Sequence, residues 1–183
     1  AWEQQQEEPV YYGFSRLHWD GGELVGVGET TIPGEPPVVA GAVVRYAQDG
    51  SVVWEWSPDD ADEKEPPASS VLVGGGAVIV QWSALRRVDA GSTVWALAGS
   101  FQGLALAGDN LVSFDAEAAE LVRVSLDGEV LDSTALAWAS QPFRTVTAID
   151  VAPDGTLWIG GGFGETEAAQ TAHVAKICPE DWQ

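Results

Sequence analysis

The sequence contains no methionine, a single cysteine and only two lysines. With no methionine even at position 1, the chain is expected to be a processed product or an excised or trimmed fragment, and no signal-peptide hydrophobic stretch stands at its start. The lone Cys178 rules out an internal disulfide and has no zinc-type Cys/His spacing around it. It reads as a small strand-facing apolar residue, the alternative being a bridge to another segment or chain. Long hydrophobic runs are missing too: stretches such as Ala77–Val80 fall far short of the roughly 20 residues that span a bilayer. No membrane insertion is expected, and the chain is read as soluble.

Basic residues are scarce, 8 against 28 acidic ones, for a formal charge of −20. A field of that sign repels nucleic acid and anionic membranes, which excludes both as partners and leaves cations, basic proteins or simple solubility. No segment sustains a 3.6-residue apolar period. The best helical stretch, AEAAEL from Ala116, is one short turn region between strands.

What is present is repetition. The stretch IDVAPDGTLWIGGGFG, residues 149–164, reads as strand, tight turn at Asp154-Gly155, strand and glycine-rich exit. The N-terminal region follows the same order, Gly21-Gly22-Glu23-Leu24-Val25 matching Asp154 to Trp158, with Glu29-Thr30 matching Glu165-Thr166. Three further strands run into glycine turns: VVRYAQDGSVVWEW, ALRRVDAGSTVWAL and LVRVSLDGEVLDS. Aligned on Gly50, Gly91 and Gly128, they bring Arg45, Arg86 and Arg123 into one column, which Lys176 joins through VAKIC. Trp54 and Trp95 form another column, with Asp132 as the exception. Such turns suit hairpins because glycine takes positive φ without steric cost and Asp tolerates it. The flanking Val, Leu, Trp and Thr are strand formers.

Four units follow, roughly 12–56, 68–98, 102–134 and 146–183, each with up to four strands. An all-β chain with a period near 40 residues is the pattern of a β-propeller built from about four four-stranded blades, and residues 1–183 are expected to form one domain. DVAPDGTLWIGGGF with AHVAKI resembles the bacterial delta-60 and two-component-regulator propeller repeats. VDAGSTVWAL and QDGSVVWEW resemble the tryptophan repeat of PQQ-like propellers. The first resemblance implies a bacterial, extracytoplasmic or sensory module; the second implies a quinone cofactor in some relatives, whose ligand constellation has no match here.

The last unit stops before a fourth strand, and an unpaired edge is a liability. PVYYGF, from Pro9 to Phe14, is the spare piece that would complete it if Tyr11 and Tyr12 are not used by the first unit. Two assemblies are open: a closed four-bladed ring, or half of a larger propeller completed by another chain, for instance in a homodimer.

In a propeller the long loops of this sequence project from one face, where binding residues concentrate. They carry Glu29, Glu35, Asp59, Asp60, Asp62, Glu63, Glu65, Glu165 and Glu167. This rim would contact a cation or a protein partner; calcium accepts such oxygen ligands, but Asp59-Asp60-Ala61-Asp62 lacks the EF-hand spacing. Otherwise it is a solvated loop face. The Arg45, Arg86, Arg123 and Lys176 column is expected to pair with acids of neighbouring blades, the alternative being an anion site in the channel. Trp54 and Trp95 are expected to pack between sheets. His18 and His173 have no evident third partner, and Ser15, Ser69, Ser70 and Ser113 stand in no nucleophile elbow. Gly74–Gly76 reads as a turn and Gly160–Gly162 as a strand exit, without the helix of a phosphate loop. No catalytic residue and no required cofactor emerge. The reading is a non-enzymatic extracytoplasmic binding or scaffold module; the alternatives are a metal-assisted propeller lyase or hydrolase, or a structural half-propeller.

Overall fold

The computed structural model describes residues 11–32, 38–58, 65–136, 143–164 and 171–182. Contacts divide the chain into two compact units, Ala1–Pro67 and Ala68–Gln183. The first holds one sheet in the order β1 (Tyr11–Asp20), β2 (Glu23–Ile32), β3 (Val38–Tyr46) and β4 (Val52–Trp56). The second holds three. Its first sheet comprises β5 (Ser69–Val73), β6 (Gly76–Gln81), β7 (Ala84–Asp89) and β8 (Ser92–Ala98). Next come β9 (Phe101–Ala107), β10 (Asn110–Asp115), β11 (Glu120–Ser125) and β12 (Val130–Ala135), then β13 (Phe143–Val151), β14 (Leu157–Gly164) and β15 (Thr171–Ile177). All are antiparallel meanders in chain order, the blades of a β-propeller. The AEAAEL stretch is a turn at residues 116–119 that runs into β11 at Glu120 and Leu121.

Among the described residues the last sheet has three strands, leaving β15 at its edge. Tyr11 and Tyr12 are not spare: they pair with Thr31 and Thr30 inside the first sheet. Cys178 lies one residue beyond β15, ahead of a 3₁₀ turn at Pro179–Asp181, rather than facing out of a strand.

Three turns share one geometry, with the Gly50, Gly128 and Gly155 N–H groups donating to the Ala47, Ser125 and Ala152 carbonyls at 2.9, 3.0 and 2.9 Å. Each glycine sits at φ between 82° and 89°, the left-handed position of a type I turn followed by a bulge. A short polar side chain ties each one down: Asp49 accepts from the Ser51 N–H, Asp154 from the Thr156 N–H, and Ser125 from the Glu129 N–H. The Ser51 hydroxyl, then its N–H, hold the Asp49 carboxyl below its ordinary range, as the Thr156 N–H, then its hydroxyl, do for Asp154.

The turn at Gly91 is different and moves the register. Asp89 pairs with Ser92 around only Ala90 and Gly91, both at positive φ (47° and 76°), a two-residue hairpin one position shorter. The residue equivalent to Arg45 and Arg123 is therefore Arg87, not Arg86. Arg45 faces Trp54, Arg87 faces Trp95 and Arg123 faces Asp132, each just before a register shift. Because side chains alternate, Arg86 points to the opposite face, where it is buried. Ala90 holds a conformation that costs a residue with a Cβ about 1 kcal/mol or more. Ala90→Gly is expected to raise the stability of this unit by about that amount, read from the midpoint of a urea transition.

The ion pairs of Arg45 and Arg123 form within single sheets rather than between blades. Arg45 pairs with Asp20 at 2.8 Å and with Glu23, both flanking the β1–β2 turn, and Arg123 pairs with Asp132 on the adjacent strand. Lys176 lies over the cross-strand Trp158 ring, 5.9 Å from its centroid. Cross-strand partners are the nearest acids or aromatics that such a column can reach.

In the second unit the blades are joined by packing and by hydrogen bonds. Trp95 Nε1 and Arg87 both donate to the Leu126 carbonyl, at 2.9 and 3.0 Å, and the Trp95 ring occupies the space a Cβ on Gly128 would need. One apolar cluster includes Val78, Val80, Leu85, Leu104 and Leu111; a second includes Phe114, Leu121, Ile149, Leu157 and Ile159. Trp182 caps the second, its indole N–H donating to the Gly155 carbonyl at 3.2 Å.

Candidate functional site

Three inner strands break register near their starts: after Phe14 in β1, at Gly103 in β9 and after Val146 in β13. The extra residues are Ser15, Gly103 and Thr147. Ser15 and Thr147 hydroxyls donate to the Val27 and Gly160 carbonyls at 3.2 Å each, and Ser113 donates to the Gly103 carbonyl at 2.7 Å. Within the glycine-rich segments Gly26-Val27-Gly28 and Gly160–Gly162, these bulges account for Gly28 and Gly161. Both segments lie inside strands, β2 and β14, not at strand exits. A Cβ on Gly28 would sit 2.1 Å from the Gly13 carbonyl oxygen, and one on Gly161 2.0 Å from that of Thr145. Gly26 leaves room for the Phe14 ring, which stacks on Tyr12 and meets Tyr46 edge-on. Tyr12 donates to Glu55 at 2.7 Å, and burial together with that carboxylate pushes its phenol well above the ordinary range.

In the second unit the bulged strand starts enclose a cavity of about 230 Å³. Residues 101–103 of β9 and 145–147 of β13 form two sides, with Ala68 before β5 and Trp82 in the β6–β7 turn. The Gln102 side chain crosses between sheets: its Oε1 accepts the Val146 N–H at 2.7 Å, a donor next to the bulge. That bond fixes the amide orientation, leaving Nε2 on the other side. Trp82 is 60% exposed. A wider, more open cavity of about 570 Å³ lies at the opposite strand ends, against Arg123, whose Nη2 pairs with Asp132 while its buried Nε has no partner among the described residues, and Trp182, whose indole N–H donates to the Gly155 carbonyl.

Of the sequence-derived acidic residues, Glu29 is exposed on β2 opposite Gly13, and Glu65 is half-buried before β5. Glu35, Asp59, Asp60, Asp62, Glu63, Glu165 and Glu167 lie outside the described residues. His18 is half-buried on β1, with burial foremost and then Arg16 lowering its pKa, whereas His173 is exposed on β15 in the other unit. Ser69 and Ser70 are buried in β5. No group of three or more His, Cys, Asp or Glu side chains able to hold a metal occurs among the described residues. None of their helices is long and apolar enough to cross a membrane.

No protein-family model matches the chain, and no curated protein matches its sequence. Solved structures do match. A protein of unknown function from Bacteroides caccae is 13% identical with a TM-score of 0.56, over 89% of this chain and 66% of that one. Virginiamycin B lyase from Staphylococcus aureus is 10% identical with a TM-score of 0.54, over 95% and 71%. The Pan2 WD40 domain of Neurospora crassa is 7% identical with a TM-score of 0.55, over 94% and 65%. The likeness is one of fold. The chain thus spans about two thirds of the length of these propellers.

The sequence reading missed Trp82, Gln102 and Thr145. The one signal for Trp82 was an aromatic in the short connection Gln81-Trp82-Ser83-Ala84, where the matching connections of the first and last units are long and acidic. Gln102 and Thr145 gave no signal, because their proximity depends on how successive sheets pack.

Proposed function

We propose that this protein is a non-enzymatic, extracytoplasmic binding or scaffold module of the delta-60 or regulator-type propeller kind, contacting a cation or protein partner through its acidic loop face. The observation that carries this reading is where the long loops leave the sheets. The β2–β3 and β14–β15 loops depart from strand ends that pair with the starts of β1 and β13, through Tyr11 with Thr31 and Phe143 with Gly164. In the second unit that is the end at which the sheets open into the 230 Å³ cavity. Loops that leave rigid strand ends suit recognition.

The test titrates the chain with calcium and, separately, with a decalysine peptide. The Glu29→Gln/Asp60→Asn/Glu165→Gln variant is expected to lose the saturable binding that the unaltered chain shows for at least one probe. Equal binding by both proteins, or binding by neither, overturns the acidic contact face.

A further inference from the structure

The 230 Å³ cavity has an unusual lining for so acidic a chain: among the described residues, none that lines it carries an ionisable side chain. Those residues offer neither a counter-ion for an anion nor a carboxylate for a metal. Its apolar lining includes Phe101, Val146 and Ala68. Its polar groups, however, are partly unspent. Gln102 uses Oε1 on the Val146 N–H, and its Nε2, the Thr145 hydroxyl and the Trp82 indole N–H have no partner among the described residues. A purely apolar ligand would bury these donors unpaired, at about 1–3 kcal/mol each. The volume is below the roughly 300–1,000 Å³ of sites for drug-sized ligands, which limits the occupant to about one ring.

An exposed indole beside uncharged hydrogen-bonding groups suits a ligand with one apolar face and a hydroxylated rim. We propose that this cavity binds a single neutral pyranose ring, stacked on Trp82 and hydrogen-bonded by the Gln102 amide and the Thr145 hydroxyl. A sugar ring presents C–H groups to the indole face and hydroxyl oxygens to the Gln102 and Thr145 donors, so both of those groups gain a partner, while the exposed indole N–H keeps its access to water. The charge of −20 adds selectivity, because a uronic acid would meet an unfavourable field without a compensating cation. The inference rests on the binding-module reading but on different residues, so the two fail separately.

The experiment is saturation-transfer difference NMR with methyl glycosides of glucose, galactose, mannose and N-acetylglucosamine, with glucuronic acid as the charged comparison. At least one neutral glycoside is expected to saturate. Trp82→Ala and Thr145→Val are expected to weaken it at least about tenfold, equivalent to about 1.4 kcal/mol. Both variants should keep the parent urea midpoint, since Trp82 is exposed and the Thr-to-Val change keeps the shape. The Glu29→Gln/Asp60→Asn/Glu165→Gln variant should bind the glycoside unchanged, which separates this site from the acidic face. No saturation by any neutral glycoside up to about 50 mM, where a 1 mM site would be filled, overturns the proposal. Undiminished binding by both single variants, or preference for glucuronic acid, overturns it as well.

Discussion

Gly161→Ala is expected to destabilise the second unit by about 3 kcal/mol or more, whereas Gly160→Ala, one residue away, is expected to change its stability by less than about 0.5 kcal/mol. The contrast follows from the bulge in β13. A methyl group on Gly161 would stand 2.0 Å from the Thr145 carbonyl oxygen and 3.1 Å from the Val146 Cα, both backbone atoms that move only if the β13–β14 pairing moves. A methyl group on Gly160 meets nothing within 4 Å. Overpacking in a well-packed interior costs about 1–3 kcal/mol when side chains can yield, and more is expected where the obstacle is a peptide group. Urea denaturation of the two variants and the parent chain provides the measurement. Equal midpoints for Gly161→Ala and Gly160→Ala would show that the bulge does not impose the glycine. Gly28 stands in the same relation to Gly13 in the first sheet, so Gly28→Ala belongs to the same test.

Phe114→Ala is expected to cost about 3–5 kcal/mol, the range for a buried aromatic replaced by a methyl group, with most of the loss coming from the cavity left behind. Phe114 is fully buried on β10, in the cluster that joins the second and third sheets of this unit through Leu157, Ile159 and Ile149. It also sits directly after the Ser113 bond to the Gly103 carbonyl, so the cavity would open beside the bulge that shapes the candidate site. Leu106→Ala is the matched control: this side chain on the neighbouring β9 is 42% exposed and should cost less than about 1 kcal/mol. The readout is again the urea midpoint, with the slope checked for constancy. A cost below about 1.5 kcal/mol for Phe114→Ala would mean that the two sheets are not held by this cluster.

The comparison of sequence with structure is most instructive at the turns and the arginine column. Asp-Gly followed by Ser or Thr specifies its own geometry, because the carboxylate bonds to the N–H two residues on and the glycine accepts the left-handed position. Those interactions are local, and the hairpins at Gly50 and Gly155 were legible for that reason. The Gly91 turn looked equivalent and is one residue shorter. Since a shift of one residue moves a side chain to the opposite face of its sheet, the alignment exchanged the buried Arg86 for Arg87. Nothing in a list of glycine positions distinguishes a two-residue turn with Ala at positive φ from a longer one with Asp before its glycine.

The sequence by itself determined the all-β architecture, the four repeating units and the acidic character, because strand propensity, turn chemistry and net charge are carried by residues close together in the chain. Tertiary structure decided the rest. The pairing of Arg45 and Arg123 within their own sheets depends on cross-strand register. The need for glycine at residues 28 and 161 depends on a bulge in the partner strand. The gathering of Trp82, Gln102 and Thr145 around one cavity depends on the packing of three sheets, which brings together residues as much as 63 positions apart (145 − 82). Local chemistry fixes which element forms, whereas a site made by several blades exists only once their faces are buried against one another.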